Sequence, residues 1–159
     1  MRFLAQNIGS ANPLDAPVAE RLRELWESRV QAVRNGADAA ELTAFGEWFG
    51  AGRLGDDWEL QQLITALSLA GRIESEHKAL PRLAALAPAH TNTCMTALEA
   101  WTRTSPHPWM LQQHEESIRA ILKAGIASGD AAAAETATTI VSLCITAGID
   151  LRDALPDDQ

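Results

Sequence analysis

The chain has 159 residues, 47% of them hydrophobic and 21% charged; this length and apolar share suffice for a core without staples and exclude a wholly disordered chain. The formal net charge of -8 works against nonspecific nucleic-acid binding, which needs a surplus of Lys and Arg to displace phosphate counterions. Cys94 and Cys144 stand far apart without a C-x-x-C, and no apolar run approaches the ~20 residues of a membrane span, so a cytoplasmic chain with free thiols and no membrane partner is expected.

Abundant alanine, no tyrosine and few runs of β-branched residues favour an all-α fold. Residues 1–15 mix Asn, Gly, Ser and Pro and read as an irregular lead-in to one helical domain over 16–155, with an acidic tail at 156–159. Asp15 and Pro17 open a first helix with Val18, Leu22, Leu25, Trp26, Val30 and Val33 on one stripe, stopped at Asn35-Gly36. A second is expected over Asp38 to Phe49. A third starts at Asp56 or Asp57 with Glu59 as a capping-box acid, carries Leu60, Leu63, Ile64 and Leu67, and ends at Gly71. A fourth runs from Ser75 to before Pro88, with a kink or a late start at Pro81. A fifth covers Thr91 to Arg103 with Cys94, Leu98 and Trp101 inward. The stretch "TSPHPW" is a loop. A sixth covers Gln113 to Ala127 with Ile118, Ile121, Leu122 and Ile126 inward. A seventh, Asp130 to Ala147, is apolar nearly all round and should be central or covered on two sides, before a short turn "DLRDAL".

Capped starts near Asp56, Asn92 and Asp130 lie 36 and 38 residues apart, and "GD" turns recur at Gly55-Asp56 and Gly129-Asp130. A period near 40 with two helices per unit points to HEAT or armadillo-like repeats, a short right-handed α-solenoid of about seven helices. A compact helical bundle is the alternative.

"GAGRLG", Gly50 to Gly55, fits the dinucleotide fingerprint G-x-G-x-x-G. That fingerprint needs a strand before its first glycine. Here a helical pattern precedes it, and Asp56 and Asp57 follow where they would repel a pyrophosphate. Gly50 and Gly52 are therefore expected to end one helix and Gly55-Asp56 to start the next, with no cofactor. "HEESI" has Ile118 where a zinc helix needs its second His, and His77, His90, His107 and His114 fall in four segments. "ESEH" reads as a helix cap, and no serine or carboxylate pair has the surroundings of a catalytic group. No metal, no catalytic residue and no enzymatic activity are expected.

Trp26, Trp48 and Trp101 fall on apolar stripes. Trp58 lies in the first turn of the third helix, and Trp109 in the one long loop beside His107, Pro108 and Met110. Trp109 either pins that loop to the core or anchors a partner, since Trp is enriched at binding hot spots. The candidate partner-binding residues are thus His107, Trp109, Met110 and Trp58.

"FGEWFGAGRLGDDWELQQLITALSLAGRIESEHKALPRLAALAP", "IRAILKAGIASGDAAAAETATTIVSLCITAGIDLRDAL" and "LRELWESRVQAV" resemble the C-terminal helical-repeat segment of large, poorly characterised bacterial multidomain proteins. The resemblance implies a HEAT-like fold and carries over no catalytic residue. Together these readings point to a non-catalytic scaffold that binds a protein partner, with self-association possible. A stand-alone acidic inhibitor or immunity-type protein acting on a basic target is the alternative.

Overall fold

The computed structural model describes residues 14–104 and 111–155. Among them are seven α-helices and no strand: α1 Ala16–Arg34, α2 Phe45–Ala51, α3 Asp56–Ala70, α4 Glu76–Leu86, α5 Thr91–Thr104, α6 Glu115–Ala127 and α7 Ala131–Thr146. Two 3-10 segments, Ala39–Ala44 and Arg152–Ala154, also lie among the described residues. The fold is all-α. The chain divides into two compact units between Ala79 and Leu80, inside α4.

In the first unit, α1 buries Ala19, Trp26 and Val30. The expected six-residue stripe is too wide for this single contact face: Val18 and Leu25 lie on the solvent side, 48% and 37% exposed. Trp26 packs its ring, tilted, against Phe45 at 4.4 Å between centroids and against Trp48 at 6.2 Å. The helix stops as expected. Ala37 N–H reaches back to the Ala32 carbonyl at 3.0 Å, and Gly36 takes a φ of 99° that glycine tolerates.

The helix expected over Asp38 to Phe49 divides into the 3-10 segment and α2. Asp38 caps the Ala40 amide at 2.9 Å. The Thr43 hydroxyl bonds Ala40 O at 2.7 Å and Glu74 Oε1 at 3.0 Å, while Thr43 O accepts from the Glu74 amide at 2.8 Å. These bonds to another segment compete with the α-helical ladder and hold the tighter winding. Within α2, Gly46 lies directly on Ile73 and the Glu74 carbonyl, and a Cβ at Gly50 would stand 2.7 Å from Lys78 Cβ. Gly50 is therefore a packing glycine inside α2, contrary to its expected role as a terminator. Gly52 ends the helix in the left-handed region.

Gly55, at φ 92°, is the cap of α3, and Asp56 is its first helical residue. The sequence expectation of an Asp56 cap is corrected on this point. Asp56, Asp57 and Glu59 still suit the positive end of the helix dipole. Gly71 closes α3 as expected. Helix α4 runs through the exposed Pro81 from Glu76, so the late start is not seen.

In the second unit, α5 packs on both α6 and α7. Gly125, near the end of α6, faces Met95, near the start of α5, so these two run antiparallel. Asn92 Nδ2 donates to Asp130 Oδ2 at 2.7 Å, joining the N-terminal ends of α5 and α7. Helix α7 buries one stripe of Ala133, Ala137, Ile140, Val141 and Cys144. It is not covered on two sides as expected, because Leu143 is only half-buried and Ile145 is 45% exposed. Past Gly148, the Ile149 amide bonds Cys144 O at 2.8 Å, and Ile149, Leu151 and Ala154 turn back into the core. Arg119 of α6 ion-pairs with Asp153 and Glu115, fastening this last turn.

The two "GD" turns thus differ. The Asp130 side chain caps the Ala132 amide at 2.9 Å, whereas Asp56 sits inside its helix. Asp130→Ala should lower the thermal midpoint by more than Asp56→Ala does; equal losses in calorimetry would contradict the distinction.

Candidate functional site

The "GAGRLG" turn is built around a buried carboxyl group. Glu59 is fully buried. Its Oε1 accepts the amides of Arg53 at 2.9 Å and Leu54 at 2.7 Å. These amides lie ahead of the Gly55 cap, so the carboxylate reaches further back than the expected capping box. From the opposite side Arg23 donates to Leu54 O, with Nε at 3.2 Å. Its guanidinium carbon sits 5.7 Å from the Trp58 ring centroid. Two turn amides of the kind that cradle phosphates in dinucleotide sites therefore already hold a carboxylate of the chain itself.

Trp58, in the first turn of α3, is half-buried between α1 and Phe45. Its indole N–H donates to Glu27 Oε1 at 3.2 Å, and its ring lies 6.1 Å from Phe45. The other expected partner-binding residues, His107, Trp109 and Met110, lie outside the described residues.

A second polar cluster joins α2 to the start of α4. Ser75, at φ 59°, donates its hydroxyl to Glu47, and Lys78 Nζ lies 2.7 Å from Glu47 Oε2. Lys78 first, and then Ser75, hold the Glu47 carboxyl below its usual range, against a smaller opposing effect of burial. A depressed, ion-paired carboxylate is a weak base, so this trio lacks what an activated serine needs. Because the folded-state value is lowered, the cluster stabilises the fold above the ordinary carboxylate range, and this contribution is lost as pH falls through it. The Ser75 carbonyl accepts the Lys78 amide at 2.9 Å, which keeps the expected cap, but its hydroxyl serves Glu47 instead.

Burial pushes the Cys94 thiol up to about 12 and the Cys144 thiol up to about 11. At neutral pH neither forms the reactive thiolate. The native chain should therefore resist a thiol reagent that modifies both cysteines in denaturant, as mass spectrometry would show. Rapid labelling of the native chain would contradict the burial.

Among the described residues no group of three or more His, Cys, Asp or Glu could hold a metal ion, and no helix is long and apolar enough to cross a membrane. Open clefts also lie among the described residues. One of about 400 Å3 lies where α5 and α7 begin, lined by His90, Asn92, Ser128 and Asp130 among others. Another, about 460 Å3, is an apolar groove on the outer side of α1.

Comparison with known proteins gives no match to a family model, to a curated protein or to a solved structure.

Proposed function

We propose that the chain is a non-catalytic helical-repeat scaffold of the HEAT kind that binds a protein partner in the cytoplasm, without cofactor or nucleic acid. The observation that carries this reading is the register of the second unit. Asn92 of α5 meets Asp130 of α7, 38 residues on, with the antiparallel α6 between them in sequence. In stacked two-helix repeats, equivalent helices of neighbouring repeats lie side by side, offset by one period. Within the first unit, Trp26 Nε1 donates to Gln62 Oε1 at 3.0 Å across a similar separation of 36 residues. Stacked repeats leave extended faces, and a scaffold of this kind needs no convergent catalytic groups.

The candidate contact is Trp109, with His107 and Met110 beside it and Trp58 as a further candidate. Measuring partner affinity against salt separates this reading from an acidic inhibitor. A scaffold contact centred on tryptophan should change little with added salt. Steep weakening would favour the inhibitor, whose long-range charge attraction is screened beyond ~8 Å at physiological ionic strength.

A further inference from the structure

Residues 149–155 lie where α6 begins and α7 stops, and their backbone is tied mainly to itself. Two back bonds close α7, from the Gly148 amide to Ile145 O at 2.9 Å and from the Ile149 amide to Cys144 O at 2.8 Å. Further on, the Ala154 amide bonds Leu151 O at 2.9 Å and the Leu155 amide bonds Arg152 O at 3.0 Å, both within the segment. Asp150 accepts the Arg152 amide at 3.1 Å and its guanidinium at 2.9 and 2.6 Å, so this turn carries its own internal brace. Side chains fix it to the helices. Ile149, Leu151 and Ala154 are buried, and Asp153 pairs with Arg119 of α6, which also pairs with Glu115. Beside the hinge at Gly148, a cleft of about 230 Å3 lined by Ile145, Gly148, Ile149, Asp150 and Arg152 leaves one flank of the segment open.

Glu115 and Asp153 stand 38 residues apart, the offset that also separates Asn92 from Asp130. Asp153 thus stands at the point in the register where Glu115 begins α6. That helix continues for 13 residues, whereas the turn Arg152–Ala154 has 3. A lone turn fixes several dihedrals for each hydrogen bond it gains, so it depends on the surface beneath it. We propose that residues 149–155 form a latched cap that lifts as one piece about Gly148, with Arg119 as the latch, while α6 and α7 stay folded. Closed, the cap hides the apolar surface beneath Ile149, Leu151 and Ala154; lifted, it presents that surface. Arg119 keeps Glu115 as a partner in either position, so opening strands no guanidinium. The register rests on the repeat reading, but the cap's contacts do not, and the cap is tested separately from that reading.

Hydrogen–deuterium exchange of the full chain, read by mass spectrometry on peptides over 149–155 and over α7, is that test. In the wild type the cap amides should exchange faster than those of Ile140 to Cys144, and low urea should leave their rate nearly unchanged, because a local opening exposes little surface. Asp153→Asn should raise exchange across the cap several-fold and leave α5, α6 and α7 unmoved. Asp153→Glu, which keeps the charge, should retain most of the protection. Leu151→Ala should also speed the cap, by weakening its apolar hold. A cap that exchanges in step with α7, or an α7 that loses protection together with it in Asp153→Asn, would show that residues 149–155 belong to the core and overturn the proposal. Cap exchange unmoved by Asp153→Asn would overturn the latch.

Discussion

Glu59→Ala should cost about 3–5 kcal/mol of unfolding free energy, among the largest effects of any single substitution in this chain. The carboxylate is fully buried and takes two backbone amides, those of Arg53 and Leu54. Removing the acceptor leaves two donors without their partner, and each bears a desolvation cost of about 1–3 kcal/mol. Alanine returns little apolar burial to offset this. Glu59→Gln keeps a carbonyl oxygen where Oε1 stands, so both amides stay paired, and should cost only about 1–2 kcal/mol. Urea unfolding followed by circular dichroism measures both. An alanine variant within about 1 kcal/mol of wild type, well inside the range for a surface change, would mean that the turn is not held by this carboxylate.

Gly46→Ala sets two effects of opposite sign against each other. Helix propensity alone would make alanine the more stable by about 1 kcal/mol in a helix interior. Here a Cβ would collide with the backbone carbonyl of Glu74 and with Ile73. A backbone cannot step aside as a flexible side chain can, and overpacking costs about 1–3 kcal/mol or more. The steric effect should win, for a net loss of about 2 kcal/mol or more. Gly129→Ala provides a contrast with a different cause. Nothing lies within 4 Å of a Cβ there, and only its φ of 70° resists substitution. A stabilised Gly46→Ala would show that α2 does not approach the 73–74 segment as closely as the structure has it.

Much of the helix layout was legible in the sequence because its signals are local. Asn35-Gly36 and Gly71 end helices by supplying the left-handed backbone that other residues resist, and apolar spacing located the core of α3, α5 and α6. What escaped depends on contacts between segments. The 3-10 winding of Ala39–Ala44 comes from Thr43 and Glu74, residues 31 apart. The role of Glu59 depends on where the turn before it comes to rest. The spacing of Gly46 and Gly50, one helical turn apart, was a usable signal for a close backbone approach. It was obscured by the stronger pattern of glycines that follows. On α1, periodicity marked an apolar stripe but could not tell how much of it a neighbour would cover. Of the expected partner-binding residues, only Trp58 lies among those described, packed between Arg23, Glu27 and Phe45.

The central claim is that the chain works by holding a protein rather than by chemistry, and affinity capture with two baits tests it most directly. Wild-type protein and Trp109→Ala, matched for stability by urea unfolding, are each used to capture proteins from an extract of the source cells, with quantification by mass spectrometry. The scaffold reading predicts one protein enriched by the wild type, with affinity reduced by about 2 kcal/mol or more in the variant, the range of a hot-spot residue. No enriched protein, or a partner held equally by both baits, would contradict the assignment of this chain as a scaffold acting through Trp109.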